Sequence, residues 1–319
     1  MTPAQLRAFA SVVRLGSVKQ AAVEIGVSES AISLHVGHLR KEFADDLFTR
    51  TASGLAFTPG GLRLARRATE MLNLQERTII EVSQANAGHR MLRVAASSLF
   101  AEHAAPGLIE MFTGRADDLD IELSVHRPER YAGLLHSRAV DVAIGPTVAG
   151  MDDAITCTQF LNYQVFVVAG PGHPLAGLEH TDLHRLRDQM WFLGPSAMSE
   201  VGAVRTALRR LNVPEKRQRI FQSHAAAIEE TKGNNGVTLA LSFTVTRDIS
   251  QGNLARVGGR ALQFGDRWNI FALRSSDPGG VVEEFGRFVR TPRAAQAMLR
   301  GPGVKVGRFR PSVHVTLWS

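Results

Sequence analysis

The sequence contains only one cysteine, Cys157, among its 319 residues. A single cysteine excludes an internal disulfide bond and a metal site built from several thiolates, and it is typical of a reducing compartment. Cys157 lies in a run of alternating apolar residues, which favours a buried structural thiol. The sequence also lacks an apolar run close to the ~20 residues of a membrane span, and it shows no cleavable leader. We therefore expect a cytoplasmic protein without a membrane partner.

The motifs of common enzymes are also missing. The sequence shows no nucleophile elbow, no phosphate-binding loop and no dinucleotide-binding fingerprint. Its histidines are scattered, and no two of them have the spacing of metal ligands within one predicted element. We interpret His103 and His136 as surface residues or as hydrogen-bonded core residues. The sequence therefore predicts no enzyme, no metal site and no cofactor.

Acidic residues are absent from the last part of the chain. Residues 287–319 contain seven of the 37 lysines and arginines and no acid, so the first 286 residues hold 30 basic and 30 acidic side chains. The net charge of +7 thus comes wholly from the C-terminus and does not by itself locate a nucleic-acid site. Residues 301–319 form a basic tail whose alternating end predicts an edge strand. The tail could dock on an acidic lobe or a partner subunit, or it could be solvated.

The stretch from Ser17 to Phe43 predicts two short helices joined by a tight turn. Ser17 with Gln20 marks a helix start, Gly26 can end that helix, and Ser28 can cap the next one. At 100° per residue, each helix has one apolar face. These faces contain Val18, Ala21, Ala22 and Ile25 in the first helix and Ile32, Val36, Leu39 and Phe43 in the second.

The other face of the second helix is mostly small and polar, with Ser30, Ser33, Leu34, Gly37 and Lys41. Two such helices are typical of a helix-turn-helix, because small side chains let the second helix enter a major groove. Hydroxyl groups can then bond to base edges or phosphates. The alternative is a helical hairpin of an ordinary bundle, in which the exposed serines are solvated.

The N-terminal sequence resembles the DNA-binding domain of LysR-type transcriptional regulators over residues 1 to about 88. The resemblance rests on Leu6, Phe9, Ser17, Ala21, Ala22, Val27, Ser28, Ala31, Ser33, Leu47, Phe48, Arg50, Thr58 and Gly61. It implies a winged helix-turn-helix over residues 1–58. The DNA-binding residues are then expected to be Ser28, Glu29, Ser30, Ser33, Leu34, His38, Lys41 and Arg50.

Three positions depart from the family pattern. The family usually has Gln-Pro where this chain has Glu29-Ser30, and it often has Arg or Gln at the position of Leu34. A basic position in the wing is Ser53 here. Each change removes positive charge or a base-reading group, so these three sites predict DNA contacts that differ from those of the family.

The residues after the second helix predict a wing. Residues 45–58 alternate and turn at Ser53-Gly54, which indicates two short strands. Arg50 lies on the first arm, where it could contact a phosphate or the minor groove. The alternative is a solvated surface arginine.

Thr58 and Pro59 then begin a helix that extends to about Ala87, before Gly88. A helix of ~30 residues is ~45 Å long and must bury its apolar residues against another surface. These residues are Leu64, Ala68, Met71, Leu72, Ile79 and Val82. The resemblance implies that residues 59–88 are a linker helix that pairs with its twin in a dimer. The alternative is packing on the chain's own C-terminal domain.

From Met91 onward, strands and helices alternate in two β-α-β-α-β series, at residues 92–144 and 190–241, joined by a crossover through residues 154–169. We expect a largely parallel sheet in two α/β lobes with a ligand cleft between them. The resemblance implies the two-lobed effector domain of the same family, which shares the fold of type 2 periplasmic binding proteins. The domain would span residues 89–300, with lobe one at about 91–160 and 266–300 and lobe two at about 161–265.

Hydroxyl residues occupy corresponding places in the two lobes. Ser97 and Ser98 follow the first strand of lobe one, and Ser196 and Ser199 follow the first strand of lobe two. Helix N-termini attract anions, so these loops could clamp a carboxylate or phosphate. Further candidates are Arg127, Thr147 and Ser223. The alternative is that the serines are only helix caps.

The fold class predicted here is α+β multidomain, with a winged helix-turn-helix, a long linker helix and a two-lobed α/β domain. The predicted function is transcriptional regulation through double-stranded operator DNA, by a homodimer or homotetramer controlled by a small anionic effector. The resemblance also allows a contact with RNA polymerase. The alternatives are a binding protein or enzyme of the two-lobed fold that does not bind DNA, and a regulator that needs no effector.

Overall fold

The computed structural model describes residues 1–51, 54–87, 90–178, 180–258, 262–274 and 280–300. These residues form two compact units, one of residues 1–87 with 136–139 and the other of residues 90–135 with 140–300. Ser53 and the predicted edge strand in residues 301–319 lie outside the described part of the chain. Within that part, no helix is both long enough and apolar enough to cross a membrane.

The first unit has the predicted helices and the predicted two-stranded wing. Its elements are α1 (Pro3–Leu15), α2 (Val18–Ile25), α3 (Glu29–Phe43), β1 (Phe48–Thr51), β2 (Gly54–Phe57) and α4 (Pro59–Ala87). Ser17 Oγ accepts a hydrogen bond from Gln20 N at 3.3 Å, which is one half of the predicted capping box. Gly26 ends α2 with φ +76°, and Ser28 caps α3. Local sequence signals therefore set the limits of these helices.

The core of the first unit lies between the apolar faces of α1, α2 and α3. Phe9, Ile32 and Leu39 are fully buried there. Phe43 was predicted on the same face, but this is wrong, because its side chain is 46% exposed. It is the last residue of α3, and the chain turns away at Ala44 with φ +48°, so the helix ends beyond the packed core.

A network of hydrogen bonds connects the start of the wing to the start of α4. Asp45 Oδ1 accepts from Leu47 N at 2.6 Å and from the Thr58 hydroxyl at 2.7 Å. Thr58 Oγ1 accepts in turn from Gly61 N at 2.8 Å, so Thr58 caps α4 as predicted. Gly61 lies so close to this junction that an added Cβ atom would overlap the Leu47 carbonyl oxygen. The junction therefore requires glycine at this position.

We predict that Gly61→Ala lowers the free energy of unfolding by about 1–3 kcal/mol, because the backbone of Leu47 cannot move without breaking the junction. Gly37→Ala is the matched control, since its added Cβ atom meets open space on α3 and helix propensity favours alanine by about 0.5–1 kcal/mol. Urea unfolding of the full-length protein measures both changes. Equal stability of the two variants would contradict the predicted steric role of Gly61.

The second unit is an α/β domain. Its helices are α5 (Ser98–His103), α6 (Ala105–Thr113), α7 (Tyr131–His136), α8 (Leu183–Arg187), α9 (Ala203–Arg210), α10 (His224–Lys232), α11 (Ser242–Ser250), α12 (Val281–Phe288) and α13 (Pro292–Leu299). Its strands are β3 (Arg90–Ala96), β4 (Leu119–Val125), β5 (Val142–Gly145), β6 (Ile155–Ala169), β7 (Trp191–Leu193), β8 (Gln218–Ile220), β9 (Val237–Leu241), β10 (Ala255–Arg256) and β11 (Gln263–Leu273).

These strands form one sheet in the order β4-β3-β5-β11-β6-β9-β7-β8, with β10 beside β6. We call β3, β4 and β5 with their helices lobe one, and β7, β8 and β9 with theirs lobe two. Strands within each lobe are parallel, as predicted. The centre of the sheet differs from the predicted parallel arrangement, because β6 and β11 are antiparallel to each other and to their neighbours. Both long strands run between the lobes, and the predicted lobe limits at residues 160 and 266 fall inside them.

The crossover predicted through residues 154–169 is thus wrong, since this segment is the 15-residue strand β6. Polar side chains interrupt its apolar alternation, which hides a strand from sequence patterns. Two predicted helices also differ. Within the two β-α-β-α-β series, the sequence pattern predicts helices over residues 103–112 and 199–211. In the structure His103 is the last residue of α5, the helix that follows is α6 from Ala105, and the helix in the second series begins only at Ala203.

The prediction that Cys157 is buried is also wrong, because its side chain is exposed. Cys157 lies on β6 opposite Phe271 of β11. The other neighbour of β6, β9, pairs with it only from Val165 onward, so β6 is a sheet edge at Cys157. The sequence around Cys157 therefore does not show that β6 is a sheet edge at this position. Partial burial raises the pKa of the Cys157 thiol.

Candidate functional site

The outward face of α3 carries the residues predicted to contact DNA. Ser33 is exposed, and Leu34 keeps 60% of its side-chain surface accessible. The predicted DNA-contact residues that are exposed on this helix are Glu29, Ser30, Ser33, Leu34, His38 and Lys41, and Glu42 and Phe43 at its end are exposed as well. The apolar residues of α3 point away from this face into the core. The structure thus presents a surface of small and polar side chains flanked by one lysine.

Two of the predicted residues are already held by the protein. Ser28 Oγ accepts from Ala31 N at 3.2 Å and lies 2.8 Å from Ser30 Oγ, so its hydroxyl belongs to the cap of α3. His38 Nδ1 lies 3.2 Å from Gln5 Nε2 on α1. The Ser28 contacts stabilise the start of α3, and the His38 contact connects the middle of α3 to α1.

Two arginines, one on the wing and one on α3, have different contacts. Arg50 lies on β1 opposite Leu55 and is exposed. Arg40 of α3 instead donates to the carbonyl oxygens of Asp46 and Phe48, each at 2.6 Å, and its guanidinium lies 4.7 Å from the centre of the Phe48 ring. Arg40 therefore holds the wing against α3, whereas Arg50 is the wing arginine available for a phosphate.

In the second unit, Ser97 lies between β3 and α5 at the end of lobe one. Its backbone N–H donates to Ile144 O at 2.9 Å. Its Oγ atom is buried and has no hydrogen-bond partner of good geometry among the described residues. The neighbouring Tyr131 hydroxyl donates its own proton to Ile144 O at 2.7 Å. Burial raises the pKa of Tyr131 well above its usual value, and the nearby Ser97 hydroxyl acts in the opposite direction.

Trp268 of β11 lies where the two lobes meet. Its ring contacts Phe100 of α5 in lobe one, with ring centres 5.0 Å apart, and Phe243 of α11 in lobe two, at 6.3 Å. The ring also stacks on Tyr163 at 4.6 Å. Its Nε1–H donor is buried and, like Ser97 Oγ, lacks a partner among the described residues. Buried polar groups are normally hydrogen-bonded, so each of these two atoms could bind a polar ligand.

The other residues predicted for lobe one are more exposed than Ser97. Ser98 begins α5 and is half-buried. Thr147 is exposed, and its Oγ1 accepts from Asn269 Nδ2 at 3.2 Å. Arg127 is exposed at the end of β4. Since α5 has only six residues, its dipole is weaker than the prediction from a longer helix implied.

The residues predicted for lobe two are each bound to a protein partner. Ser196 Oγ lies 2.8 Å from His224 Nε2, and Ser223 Oγ accepts from Ala226 N at 3.1 Å as the cap of α10. The alternative that Ser199 is a helix cap is wrong, because Gly202 is the N-cap of α9. The Ser199 hydroxyl donates to Glu129 Oε1 at 2.8 Å.

The strongest connection between the lobes involves a residue that sequence reasoning missed. Glu102 of α5 accepts from His224 N at 2.8 Å, from His224 Nδ1 at 2.8 Å and from Ala225 N at 2.7 Å. Although burial opposes ionisation, these hydrogen bonds lower the pKa of Glu102 to about 2. The carboxylate of lobe one therefore occupies the N-terminus of α10 in lobe two. The partners are 122 residues apart, so no local pattern indicated the pair.

Two family models cover the chain. Residues 3–62 match the bacterial regulatory helix-turn-helix protein, lysR family, and residues 85–292 match the LysR substrate binding domain. The chain belongs to the LysR family of transcriptional regulators. Members of this family are regulators and not enzymes, so the alternative of an enzyme that does not bind DNA is wrong.

Relatives support the same conclusion over the whole length. This LysR-family chain is 55% identical to an HTH-type transcriptional regulator of Mycobacterium tuberculosis over 323 residues, which cover 100% of both chains. It is 24% identical to the RuBisCO operon transcriptional regulator of Allochromatium vinosum, over 91% of this chain and 96% of that protein.

Solved structures show the same fold. ArgP from Mycobacterium tuberculosis matches with a TM-score of 0.60 at 17% identity, over 96% of this chain and 98% of that one. Full-length CbnR complexed with its target DNA also matches with a TM-score of 0.60, at 16% identity over 93% of this chain and 100% of that one. The predicted family and fold class are thereby confirmed, and the roles of single residues stay predictions.

Proposed function

We propose that this LysR-family regulator recognises a double-stranded operator through α3 and the wing. The observation that carries the proposal is the exposed face of α3, where small side chains leave the helix backbone accessible. Such a face fits a major groove, and its hydroxyl groups can donate to or accept from base edges. The DNA-binding function belongs to residues 1–58, dimerisation to residues 59–88 and effector binding to residues 89–300.

The residues on this face have different roles in the proposal. Ser30 and Ser33 contact bases or phosphates, and the exposed Leu34 contacts a thymine methyl group. Lys41 and Arg50 bind phosphates on either side of the groove. Glu29 has a negative charge, so it can accept from a cytosine amino group but repels phosphates. The DNA sequence preferred here should therefore differ from that of regulators with Gln-Pro at this position.

Dimerisation through α4 follows from four exposed apolar side chains on one side of this helix. Met71, Leu74, Ile79 and Val82 are each between 46% and 63% exposed. At 100° per residue they lie within an arc of about 140°, which is the pattern of a helix that packs against a partner. A second copy of α4 is the partner proposed. Two dimers can assemble further into a tetramer that holds recognition helices about one DNA turn apart, or a multiple of it.

The proposed effector binds between the lobes beside Ser97 and Trp268. Trp268 Nε1–H can only donate a hydrogen bond, and Ser97 Oγ can donate one. Two buried groups that can donate hydrogen bonds fit a ligand with acceptor oxygens, such as a carboxylate or phosphate. The contacts of Trp268 with both lobes connect ligand binding to the arrangement of the lobes. An effector that binds more tightly to one arrangement of the lobes would increase the population of that arrangement and thereby change the affinity for DNA.

We predict that a carboxylate or phosphate compound from a panel raises the melting temperature in a saturable way. At about 100 times its Kd, a ligand stabilises the folded state by about 2.7 kcal/mol. Ser97→Ala should weaken the binding of that compound by roughly tenfold or more, because a hydrogen bond to a charged group contributes about 1.5–3 kcal/mol. Ser250→Ala, at an exposed hydroxyl on α11, is the matched control and should leave the affinity unchanged.

A regulator without an effector is the second candidate. The observation that favours it is the Glu102 carboxylate at the N-terminus of α10, where the prediction had an anionic ligand. If no compound in the panel shifts the melting temperature, this candidate replaces the effector proposal. A contact with RNA polymerase stays a prediction.

A further inference from the structure

Three side chains that can bind a metal ion meet between the two lobes. Glu102 and His103 are neighbours on α5 of lobe one, and His224 begins α10 of lobe two. Their nearest carboxylate oxygen and ring nitrogens all lie within 4.8 Å of one another. The two imidazole rings contact each other edge to face, with centres 5.7 Å apart. Two imidazoles and one carboxylate are a known ligand set for zinc and for other divalent first-row transition metals.

The spacing of these atoms is close to that of a metal site. For three atoms separated by at most 4.8 Å, there is a position that lies within about 2.8 Å of all of them. Zinc binds ring nitrogens at about 2.0–2.1 Å and carboxylate oxygens at about 2.0–2.2 Å. Movement of each ligand atom by less than about 1 Å therefore completes the coordination. Glu102 retains 24% of its side-chain surface, which gives an ion access from solvent.

The contact between two of the ligands also suits a metal ion. The His224 Nδ1 atom lies 2.8 Å from a Glu102 carboxylate oxygen, and a bound ion would replace the proton between them.

Further contacts hold the ligands in place. The Ser196 hydroxyl lies 2.8 Å from His224 Nε2, so it can accept the proton of that nitrogen when Nδ1 binds an ion. The backbone N–H groups of His224 and Ala225 hold the Glu102 carboxylate. Gly194 lies against the His224 ring, where an added Cβ atom would overlap it. The ring and the carboxylate are therefore oriented before an ion arrives.

We propose that Glu102, His103 and His224 form a binding site for a divalent transition-metal ion of the zinc class. The fourth coordination position is open to water or to an anionic ligand, as in zinc sites with three protein ligands. Because the ligands come from α5 and α10, a bound ion joins the two lobes directly. Control of DNA binding by this ion rests on the function proposed above, but the metal site itself does not.

The test uses untagged full-length protein that has been stripped with a chelator and titrated with Co²⁺, which absorbs visible light when bound in a tetrahedral site. We expect saturable absorption at one Co²⁺ per chain, reversed by Zn²⁺. His103→Gln and His224→Gln should each abolish it. Ser196→Ala should keep the absorption band but weaken Co²⁺ binding by roughly 10-fold, because the partners of ligands contribute 10–100-fold in affinity. His184→Gln, at an exposed histidine of α8, is the matched control and should leave the titration unchanged.

Two results would overturn the proposal. One is the absence of a saturable tetrahedral spectrum in the wild-type protein. The other is an unchanged spectrum in a folded His103→Gln variant. Loss of a ligand would change the spectrum, whereas loss of a side chain that only fills space would leave it unchanged. Circular dichroism establishes that each variant is folded. The titration contains no DNA, so failure of the metal site is distinguishable from failure of the proposed regulation.

Discussion

Replacing Ser33 by glutamate is expected to weaken the binding of operator DNA by at least about 100-fold. Ser33 lies in the middle of the exposed face of α3, where a carboxylate would face the negative charge of the duplex. Like charges placed together in an interface cost several kcal/mol, and 1.4 kcal/mol corresponds to a factor of ten. Fluorescence anisotropy with a labelled operator fragment at fixed salt measures the change.

The fold should survive this substitution, because Ser33 is exposed and glutamate is a better helix former than serine. Gln251→Glu adds the same charge at an exposed position in the second unit and should bind DNA as the wild-type protein does. Ser33→Ala should have a smaller effect, of at most about 1–3 kcal/mol, concentrated at one base pair. An unchanged affinity in Ser33→Glu would place the DNA contact elsewhere.

Two aspartates on the exposed side of α4 should separate the subunits. In the double variant Leu74→Asp and Ile79→Asp, two charges would be buried in the proposed helix pair, where each loses hydration without gaining a partner. We expect a dimer dissociation constant at least about 1000-fold higher, because uncompensated charges at such positions cost several kcal/mol together. Analytical ultracentrifugation measures the oligomeric state directly.

The control for this variant is on the opposite side of the same helix. Leu62 is 52% exposed but lies outside the arc of the four apolar side chains, so Leu62→Asp should remain oligomeric. Operator affinity should fall with the loss of the dimer, since a single half-site gathers fewer phosphate contacts. A double variant that sediments as the wild-type protein does would contradict pairing through α4.

The first unit could be predicted closely from the sequence, because its signals are local. Caps such as Thr58 and Ser28 and the left-handed Gly26 set the ends of α2, α3 and α4. The wing follows from alternation over a few residues. Only Phe43 was assigned wrongly, since periodicity shows which face a residue is on but not where the core stops.

The second unit was less predictable, because its key features depend on distant contacts. The exposure of Cys157 follows from where β9 begins to pair with β6, and no pattern around residue 157 contains that information. The Glu102 to His224 contact connects two helices of different lobes. The buried Trp268 Nε1–H donor, which has no partner among the described residues, was not predicted, because no local pattern shows whether an indole N–H will have a partner.

Selection of bound fragments from sheared genomic DNA tests the central claim most directly. Full-length protein at modest ionic strength, with bulk competitor DNA present, should enrich a small set of fragments that share a near-palindromic sequence. Binding to those fragments should weaken steeply as salt increases, because phosphate contacts release counterions. Recovery of fragments at random, with no sequence shared among them and no preference over the competitor, would contradict sequence-specific DNA binding by this protein.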